Sequence, residues 1–341
     1  MEPYTDVVSS YAGFAAEATD SPTFVAWAEA VAADPEVQRW IARLPQLKQQ
    51  PNLVFAAARW HGVTAPGPYD ALRAALLGDT GAIEQTILTR STQTNEVGRL
   101  ATLLPAFTAL GGESEAPLAL IEVGASAGLC LYPDRWGCAW QHEDGTVTRV
   151  DSASGRASGR ASGRPELSCR VRGPAPLPTA LPQVVARFGI DLNPLDVTDA
   201  DAMAWLTTLV WPEQEERRTR LRLAIDVART DPPHLIRGDL IEELPALVQR
   251  ASSYGRVVVF HSAVIAYLAP ADRLRFDRLM RELVSDGACH WVSNEGKQVL
   301  ESVTRTGPPI PADHPTFVLG IDGRMVARTH GHGRTLTWTA R

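Results

Sequence analysis

Residues 117–128 read PLALIEVGASAG, and this stretch decides the fold. Its first part is a short apolar run that ends in an acid, and a glycine-rich turn follows at once. A continuous apolar run that leads into a tight turn is typical of a buried parallel strand. The stretch therefore predicts the first strand of a parallel sheet, with a glycine loop from Gly124 to Gly128 at its carboxyl end.

Four later apolar runs resemble the first, and helical patterns separate most of them. They span residues 183–190, 234–238, 256–260 and 288–293. Strands that alternate with helices predict an α/β fold with a Rossmann-like, doubly wound, mostly parallel sheet. The sequence TFVLGIDGRMVART places Asp322 and Gly323 between two alternating runs, so we expect an antiparallel hairpin near the end of the sheet.

The chain before the first strand reads as a series of helices. Ser21-Pro22 and Asp34-Pro35 each place a good N-cap residue before a proline, and Ala-rich amphipathic segments follow. The length of 341 residues suggests two domains. We expect an all-α domain over residues 1–112 and a Rossmann-like α/β domain over residues 113–341.

An insertion at about residues 130–182 interrupts the strand and helix pattern. Asp144-Gly145 predicts a hairpin, and ASGR then occurs three times in succession, which predicts a mobile loop over residues 152–165. The arginines of the repeat form a basic stretch with Arg149, Arg170 and Arg172. This stretch could contact an anionic partner, or it could simply be a solvent-exposed loop.

Composition excludes several classes of protein. The net charge of −6 opposes a broad phosphate-binding surface, so we expect a small-molecule or protein partner and no nucleic acid. The sequence contains no apolar run long enough to span a membrane and no signal peptide, which favours a cytoplasmic protein without membrane association. Four cysteines lack CxxC spacing, and His330 with His332 lacks a third ligand, so no metal site is predicted.

The glycine loop suits a ligand that approaches the backbone at the carboxyl end of a strand. A dinucleotide fingerprint would require glycine at positions 126 and 129, where the chain has Ser126 and Leu129. No Gly-Lys-Ser/Thr ends the turn, so a P-loop is also disfavoured. The loop therefore favours a nucleoside of another kind.

The loop resembles that of the class I S-adenosylmethionine-dependent methyltransferases, whose first strand ends in an acid followed by Gly-x-Gly-x-Gly. Glu122, Gly124 and Gly128 match this pattern, and Ser126 stands in place of the middle glycine. The resemblance implies that S-adenosylmethionine is the cofactor and that these four residues contact it. Pro133 follows so closely that the helix after the turn must be short or broken.

Later strand ends extend this resemblance. GIDLNPLD places Asp191 where the family has the acid that binds both ribose hydroxyls, and IRGDLIEELP places Asp239 where the family recognises the adenine amine. RVVVFHSAVIAYL corresponds to the strand that faces the methyl acceptor, with His261 and Ser262 at its end. Asp191 lies much further beyond Gly128 than the usual spacing of about 20 residues, and the insertion at 130–182 accounts for the difference.

The whole chain also resembles an uncharacterised bacterial family, domain of unknown function 2332. The resemblance rests on RSTQTNEVGRL, LIEVGASAGL followed by DRWG, GIDLNPLDV, WLTTLVWPEQEERRTRL and VVVFHSAVIAYL. It covers nearly the full length of the chain. It supports the fold and leaves the reaction open.

Several residues have both a functional and a structural interpretation. The imidazole of His261 could act as a general base, with Tyr267 near it, or it could be a structural histidine. Asn95, Glu96 and Arg99 could line a substrate pocket or cap and stabilise the helix that follows. The glycines could simply allow the strand and the following segment to pack closely. Glu122 could pair with a structural arginine. Asp191 and Asp239 could each cap the segment that follows them.

Three functions are consistent with these residues. The leading hypothesis is a methyltransferase that acts on a small molecule or a protein side chain. A non-catalytic nucleoside-binding or interaction module is the alternative. A hydrolase is the third, because Gly124-Ala125-Ser126-Ala127-Gly128 satisfies GxSxG, in which the serine is the nucleophile.

Overall fold

A computed structural model describes residues 6–93, 95–111, 116–151 and 166–340. The chain divides into two compact units, residues 1–94 with 198–222 and residues 95–197 with 223–341. The predicted loop at 152–165 lies outside the described residues. None of the helices within the described ranges is long and apolar enough to cross a membrane.

The helices and strands of the described residues are numbered in chain order. The α-helices are α1 Val7–Glu17, α2 Pro22–Ala33, α3 Pro35–Ala42, α4 Pro51–Trp60, α5 Tyr69–Leu77, α6 Ala82–Thr89, α7 Leu100–Gly111, α8 Ala200–Leu209, α9 Glu215–Thr230, α10 Leu240–Ala251, α11 Pro270–Ser285 and α12 Glu301–Thr304. The strands are β1 Leu118–Val123, β2 Gly137–Gln141, β3 Val147–Val150, β4 Glu166–Arg172, β5 Val184–Asp191, β6 His234–Arg237, β7 Arg256–Ser262, β8 His290–Gly296, β9 Phe317–Ile321, β10 Arg324–Thr329 and β11 Thr335–Trp338.

The N-terminal region is helical, as the sequence predicts. The Ser21 hydroxyl accepts a hydrogen bond from the Phe24 N–H at the start of α2. The Asp34 carboxylate accepts bonds from the first turn of α3, and proline opens each of these two helices. The apolar faces of the helices meet in an aromatic core in which Phe24 and Phe55 are fully buried.

Within the described residues, the second unit holds one sheet of eleven strands in the order β3-β2-β4-β11-β10-β9-β8-β7-β1-β5-β6. The strand β1 pairs in parallel with β5 on one side and with β7 on the other. The strands β6 and β8 extend this parallel part of the sheet at its two sides. The predicted α/β class with a large, mostly parallel sheet is therefore confirmed.

Both predicted hairpins are confirmed. The strands β9 and β10 pair antiparallel around Asp322 and Gly323, whose φ angles are 48° and 76°. The strands β2 and β3 pair antiparallel around Asp144 and Gly145. Asn, Asp and Gly tolerate the positive φ angles that such turns require, which is why the local sequence was sufficient to predict them.

Helices cover both faces of the central strands. Phe260 of β7 packs edge-on against Phe107 of α7, and the next residue, His261, packs against Phe276 of α11 on the opposite face. The helix α10 packs on β1 and β5. Alternate residues of a strand point to opposite faces, so both faces of a strand covered in this way must be apolar or internally paired.

The segment after the glycine loop forms no α-helix. Short 3₁₀ turns at Leu129–Leu131 and Pro133–Arg135 replace it, in agreement with the break predicted at Pro133. The inserted residues then supply β2, β3 and β4, which lie beyond β11 at the far end of the sheet.

Candidate functional site

The site predicted from the sequence lies at the carboxyl ends of β1, β5 and β7. Among the five parallel strands β6-β5-β1-β7-β8, the chain leaves β1 for β5 on one side and later returns to β7 on the other. Such a reversal of strand order leaves a crevice between the connections at the carboxyl ends of the strands, which is where open α/β sheets bind ligands.

The glycine loop adopts left-handed backbone conformations. The φ angles of Gly124, Ser126 and Gly128 are 68°, 51° and 68°. A Cβ on Gly124 would lie 2.4 Å from Cγ1 of Val264, and a Cβ on Gly128 would lie 2.9 Å from Cγ of Pro233. These glycines therefore permit close packing as well as the turn itself.

Asp191 holds the loop in this shape. Its Oδ2 accepts a hydrogen bond from the Ser126 N–H at 2.8 Å, and its Oδ1 accepts one from the Asn193 N–H at 2.7 Å. A carboxylate oxygen has two lone pairs, so it can accept more than one hydrogen bond. Asp191 is partly exposed, which leaves it accessible to a ligand.

Glu122 is an acid of the site whose pKa is strongly shifted. Burial raises the pKa of its carboxyl well above the ordinary value of 4.5, the guanidinium of Arg99 opposes this rise, and the charge of Asp191 adds to it. Its Oε2 is buried without a hydrogen-bond partner among the described residues, and the same is true of the Ser126 hydroxyl. Two unpaired polar atoms thus lie beside one loop, where each carries a desolvation penalty.

The predicted substrate-binding residues Asn95 and Arg99 lie beside the glycine loop and the end of β7. Asn95 donates from Nδ2 to the Ala125 carbonyl at 3.2 Å, and its Oδ1 accepts from the Leu129 N–H at 2.8 Å. Arg99 donates to the carbonyls of Ser262 and Gly331, each at 2.8 Å.

Glu96 is 2% exposed and caps the following turn through the Gly98 N–H. Glu96 therefore caps the turn that follows it, whereas Asn95 ties this segment to the predicted ligand loop.

A family model of uncharacterised proteins conserved in bacteria, domain of unknown function 2332, matches residues 8–338. The chain belongs to this family. No curated protein matches the chain. The glycine loop and the strand ends that surround it all lie within the matched range.

In this member of the family, His261 is fully buried, and both of its ring nitrogens are engaged. Nδ1 lies 2.7 Å from Oε1 of Glu295, and the Trp291 indole N–H donates to Nε2 at 3.0 Å. An indole nitrogen can only donate, so Nε2 accepts and Nδ1 carries the proton. This is the arrangement of a positioning residue, since neither nitrogen is left for a substrate.

Two predicted residues lie away from the buried groups. Tyr267 is 83% exposed. Asp239 is also exposed and is the N-cap of α10, where it accepts from the N–H groups of Ile241 and Glu242. Asp239 is therefore a capping residue in the structure.

Three residues of this region, Asn294, Glu295 and Thr329, were not predicted from the sequence. Oε1 of Glu295 also accepts from the N–H groups of Val264 and Ile265, which fixes the turn that covers Gly124. Asn294 donates to the Ser262 hydroxyl and accepts from Thr329. The available signal was Ser-Asn-Glu at the end of an apolar strand, since polar side chains there need partners when they are buried.

The cysteine thiols offer no reactive group. All four are free and buried, and burial raises the pKa of Cys289 to about 12 and that of Cys130 well above its ordinary value. A thiol with a raised pKa stays protonated at neutral pH and is a poor nucleophile. Within the described ranges, no group of three His, Cys, Asp or Glu side chains could hold a metal ion.

Proposed function

We propose that the crevice beside the glycine loop binds S-adenosylmethionine and that the protein transfers its methyl group to a small molecule or a protein side chain. One observation carries the proposal. Glu122 and Ser126 bury unpaired polar atoms beside a left-handed glycine loop at the point where the strand order reverses. A polar ligand that bonded to these atoms would remove their desolvation penalty.

The strand order supports the same proposal. The parallel strands run 3-2-1-4-5 when they are numbered within their own group, which is the arrangement of a Rossmann-like sheet. The acids Glu122 and Asp191 end two neighbouring strands on the same edge. This placement agrees with the resemblance of the four strand ends to the methyltransferases.

In the proposed site, Glu122 and the glycine loop bind the amino-acid part of the cofactor, and Asp191 binds the ribose. The cofactor supplies the electrophilic methyl group. Ser262 and Arg99 lie at the end of β7, on the side where the acceptor would enter, and Arg99 keeps this edge fixed through its two backbone contacts. We assign His261 a positioning role, because it holds Glu295 and thereby the turn over Gly124. The chain's contribution to rate is then chiefly alignment of the acceptor.

Calorimetric titration tests the proposal. S-adenosylmethionine and S-adenosylhomocysteine are expected to bind, whereas NADH and ATP serve as controls and are expected not to bind. Failure of both sulfur nucleosides to bind at millimolar concentration would remove the proposal. Binding without methyl transfer to any acceptor would leave the non-catalytic nucleoside-binding module.

A hydrolase is the second candidate, and one observation favours it. Ser126 is the central residue of GxSxG and has a φ of 51°, and a nucleophilic serine in that motif occupies a strained strand-to-helix turn. Ser126→Ala separates the two candidates. A hydrolase would lose essentially all hydrolysis of a p-nitrophenyl ester, whereas a nucleoside site would keep its affinity to within a few-fold.

A further inference from the structure

One face of the sheet extension carries a row of arginines, of which Arg149, Arg170 and Arg172 are exposed and Arg328 is half-buried. In β4 the burial alternates strictly, with Leu167, Cys169 and Val171 inside and the intervening residues exposed. The inner side chains face α7, since the Trp140 indole of β2 donates to the Ala101 carbonyl of that helix. The outer side chains face away from α7.

Strand register shows which residues share this outer face. Arg170 pairs with Thr335 of β11 on one side and with Gln141 of β2 on the other. Arg172 pairs with Thr337, which in turn pairs with Arg328 of β10. Residues directly opposite each other in adjacent strands point to the same face. We call this surface the arginine face, and it consists of Gln141, Arg149, Ser168, Arg170, Arg172, Arg328, Thr335 and Thr337.

The helices that cover this side of the sheet do not extend to the arginine face. The apolar core on that side includes Val318 of β9 and Met325 of β10, and α12 packs on these two strands. Beyond them the side chains are polar, and those of Arg149 and Arg172 are 56% and 66% exposed. A sheet in an α/β fold is normally covered on both faces, so a basic face that no helix of the described residues covers needs an explanation.

Contacts already on the face indicate what it binds. Arg172 lies 2.9 Å from a carboxylate oxygen of Glu143, and Arg149 lies 3.3 Å from one of Glu166. Arg170 and Arg328 have no carboxylate partner among the described residues. Two arginines of the face thus already bind carboxylates, and two further arginines, Arg170 and Arg328, can bind carboxylates of a partner. The face holds no aromatic side chain on which a base could stack, which disfavours a single-stranded nucleic acid as the partner.

We propose that the arginine face docks an acidic segment of a partner protein, with Asp or Glu side chains placed on Arg170 and Arg328. The two arginines lie on β4 and β10, with β11 between them, so a segment that crosses the strands can reach both. The hydroxyl and amide groups of Thr335, Thr337 and Gln141 lie between and beside them and can bond to the backbone of such a segment. The surface uses no residue of the candidate site, so this inference stands apart from the proposed function.

Fluorescence anisotropy with a labelled oligoglutamate peptide tests this proposal on the full chain. We expect binding at low salt that weakens as salt rises, because exposed charge contacts are screened. The variant Arg170→Gln/Arg328→Gln keeps much of the side-chain length and should bind about tenfold more weakly. Its circular dichroism spectrum should match that of the wild type.

A matched control is the pair Arg39→Gln/Arg278→Gln, which makes the same change of charge at exposed arginines elsewhere. This control is expected to bind the peptide like the wild type. Equal losses in both double variants would mean that only net charge matters, and no binding at low salt would mean that the face docks no acidic chain. Tighter binding of a single-stranded oligonucleotide than of the peptide would also overturn the proposal.

Discussion

Ser126 and Asp191, 65 residues apart in the sequence, are joined by a hydrogen bond of 2.8 Å from the Ser126 N–H to the Asp191 carboxylate. The bond ties the glycine loop after β1 to the end of β5. The same carboxylate caps the Asn193 N–H. The shape of the predicted ligand loop therefore depends on an acid of the neighbouring strand.

Replacing Asp191 by Ala is expected to lower both stability and ligand affinity. Two backbone N–H groups lose their acceptor, which costs about 1–3 kcal/mol of unfolding free energy. The affinity for S-adenosylhomocysteine should fall about ten- to hundredfold if the ribose bonds to the same carboxylate. Asn should be milder, because its amide oxygen still accepts one bond. Thermal unfolding and calorimetric titration measure the two effects.

Asp199→Ala is the matched control for this experiment. Asp199 likewise accepts from two backbone N–H groups, at the start of α8. The Asp199→Ala variant should therefore have a lower unfolding free energy and an unchanged affinity for the nucleoside. An Asp191→Ala variant that behaved like this control would show that Asp191 is only structural.

Glu122→Gln is expected to stabilise the protein at neutral and alkaline pH. The pKa of Glu122 is raised in the fold by burial, so the native state holds its proton more tightly than the unfolded chain. Stability then falls as pH rises from about 4.5 towards the folded pKa, because ionisation of the buried group is unfavourable. The glutamine variant should lack this slope in urea unfolding followed across pH. A wild-type slope that persists in the variant would contradict the assignment.

Gly124→Ala is expected to destabilise the fold by about 3 kcal/mol, since it adds a left-handed residue and a clash with the methyl groups of Val264. Gly145→Ala is the control, because Gly145 also has a positive φ but has open space around it. That control should lose only about 1 kcal/mol. Adding Val264→Ala should recover part of the loss in Gly124→Ala, and equal losses at the two glycines would show that the close contact is unimportant.

His261 is expected to be a neutral ring with its proton on Nδ1, because Trp291 can only donate to Nε2. Nitrogen-15 NMR of the imidazole distinguishes this tautomer directly. His261→Phe should lower the unfolding free energy by about 2–4 kcal/mol, because Glu295 loses a donor and Trp291 loses its acceptor. Tyr267→Phe, at an exposed position, should leave stability unchanged. A His261 ring protonated on Nε2 would rule out this network.

Local sequence patterns predict most of the helices and strands and the class of the fold. Apolar runs such as 256–260 and caps such as Ser21 and Asp34 act through near neighbours, so local patterns were sufficient for most strands, most helices and both hairpins. The glycine loop and the acids Glu122 and Asp191 were also identified, because each directly follows or ends an apolar strand. The helices α1, α6, α10 and α12 and the strands β4 and β11 were not identified, because their sequences carry weaker signals.

The contacts of these residues depend on long-range pairing in the folded chain. Asp191 could be placed at a strand end, but its bond to Ser126 depends on the pairing of β1 with β5 across an insertion. From the sequence His261 could be a general base or a structural histidine, and the fold shows that Glu295 and Trp291 of β8 bond to both of its ring nitrogens. The arginine face likewise exists only because β4 pairs with β11, a partner more than 160 residues away in the sequence. Burial and hydrogen-bond partners are set by long-range pairing, whereas local patterns record only backbone preference and hydrophobic periodicity.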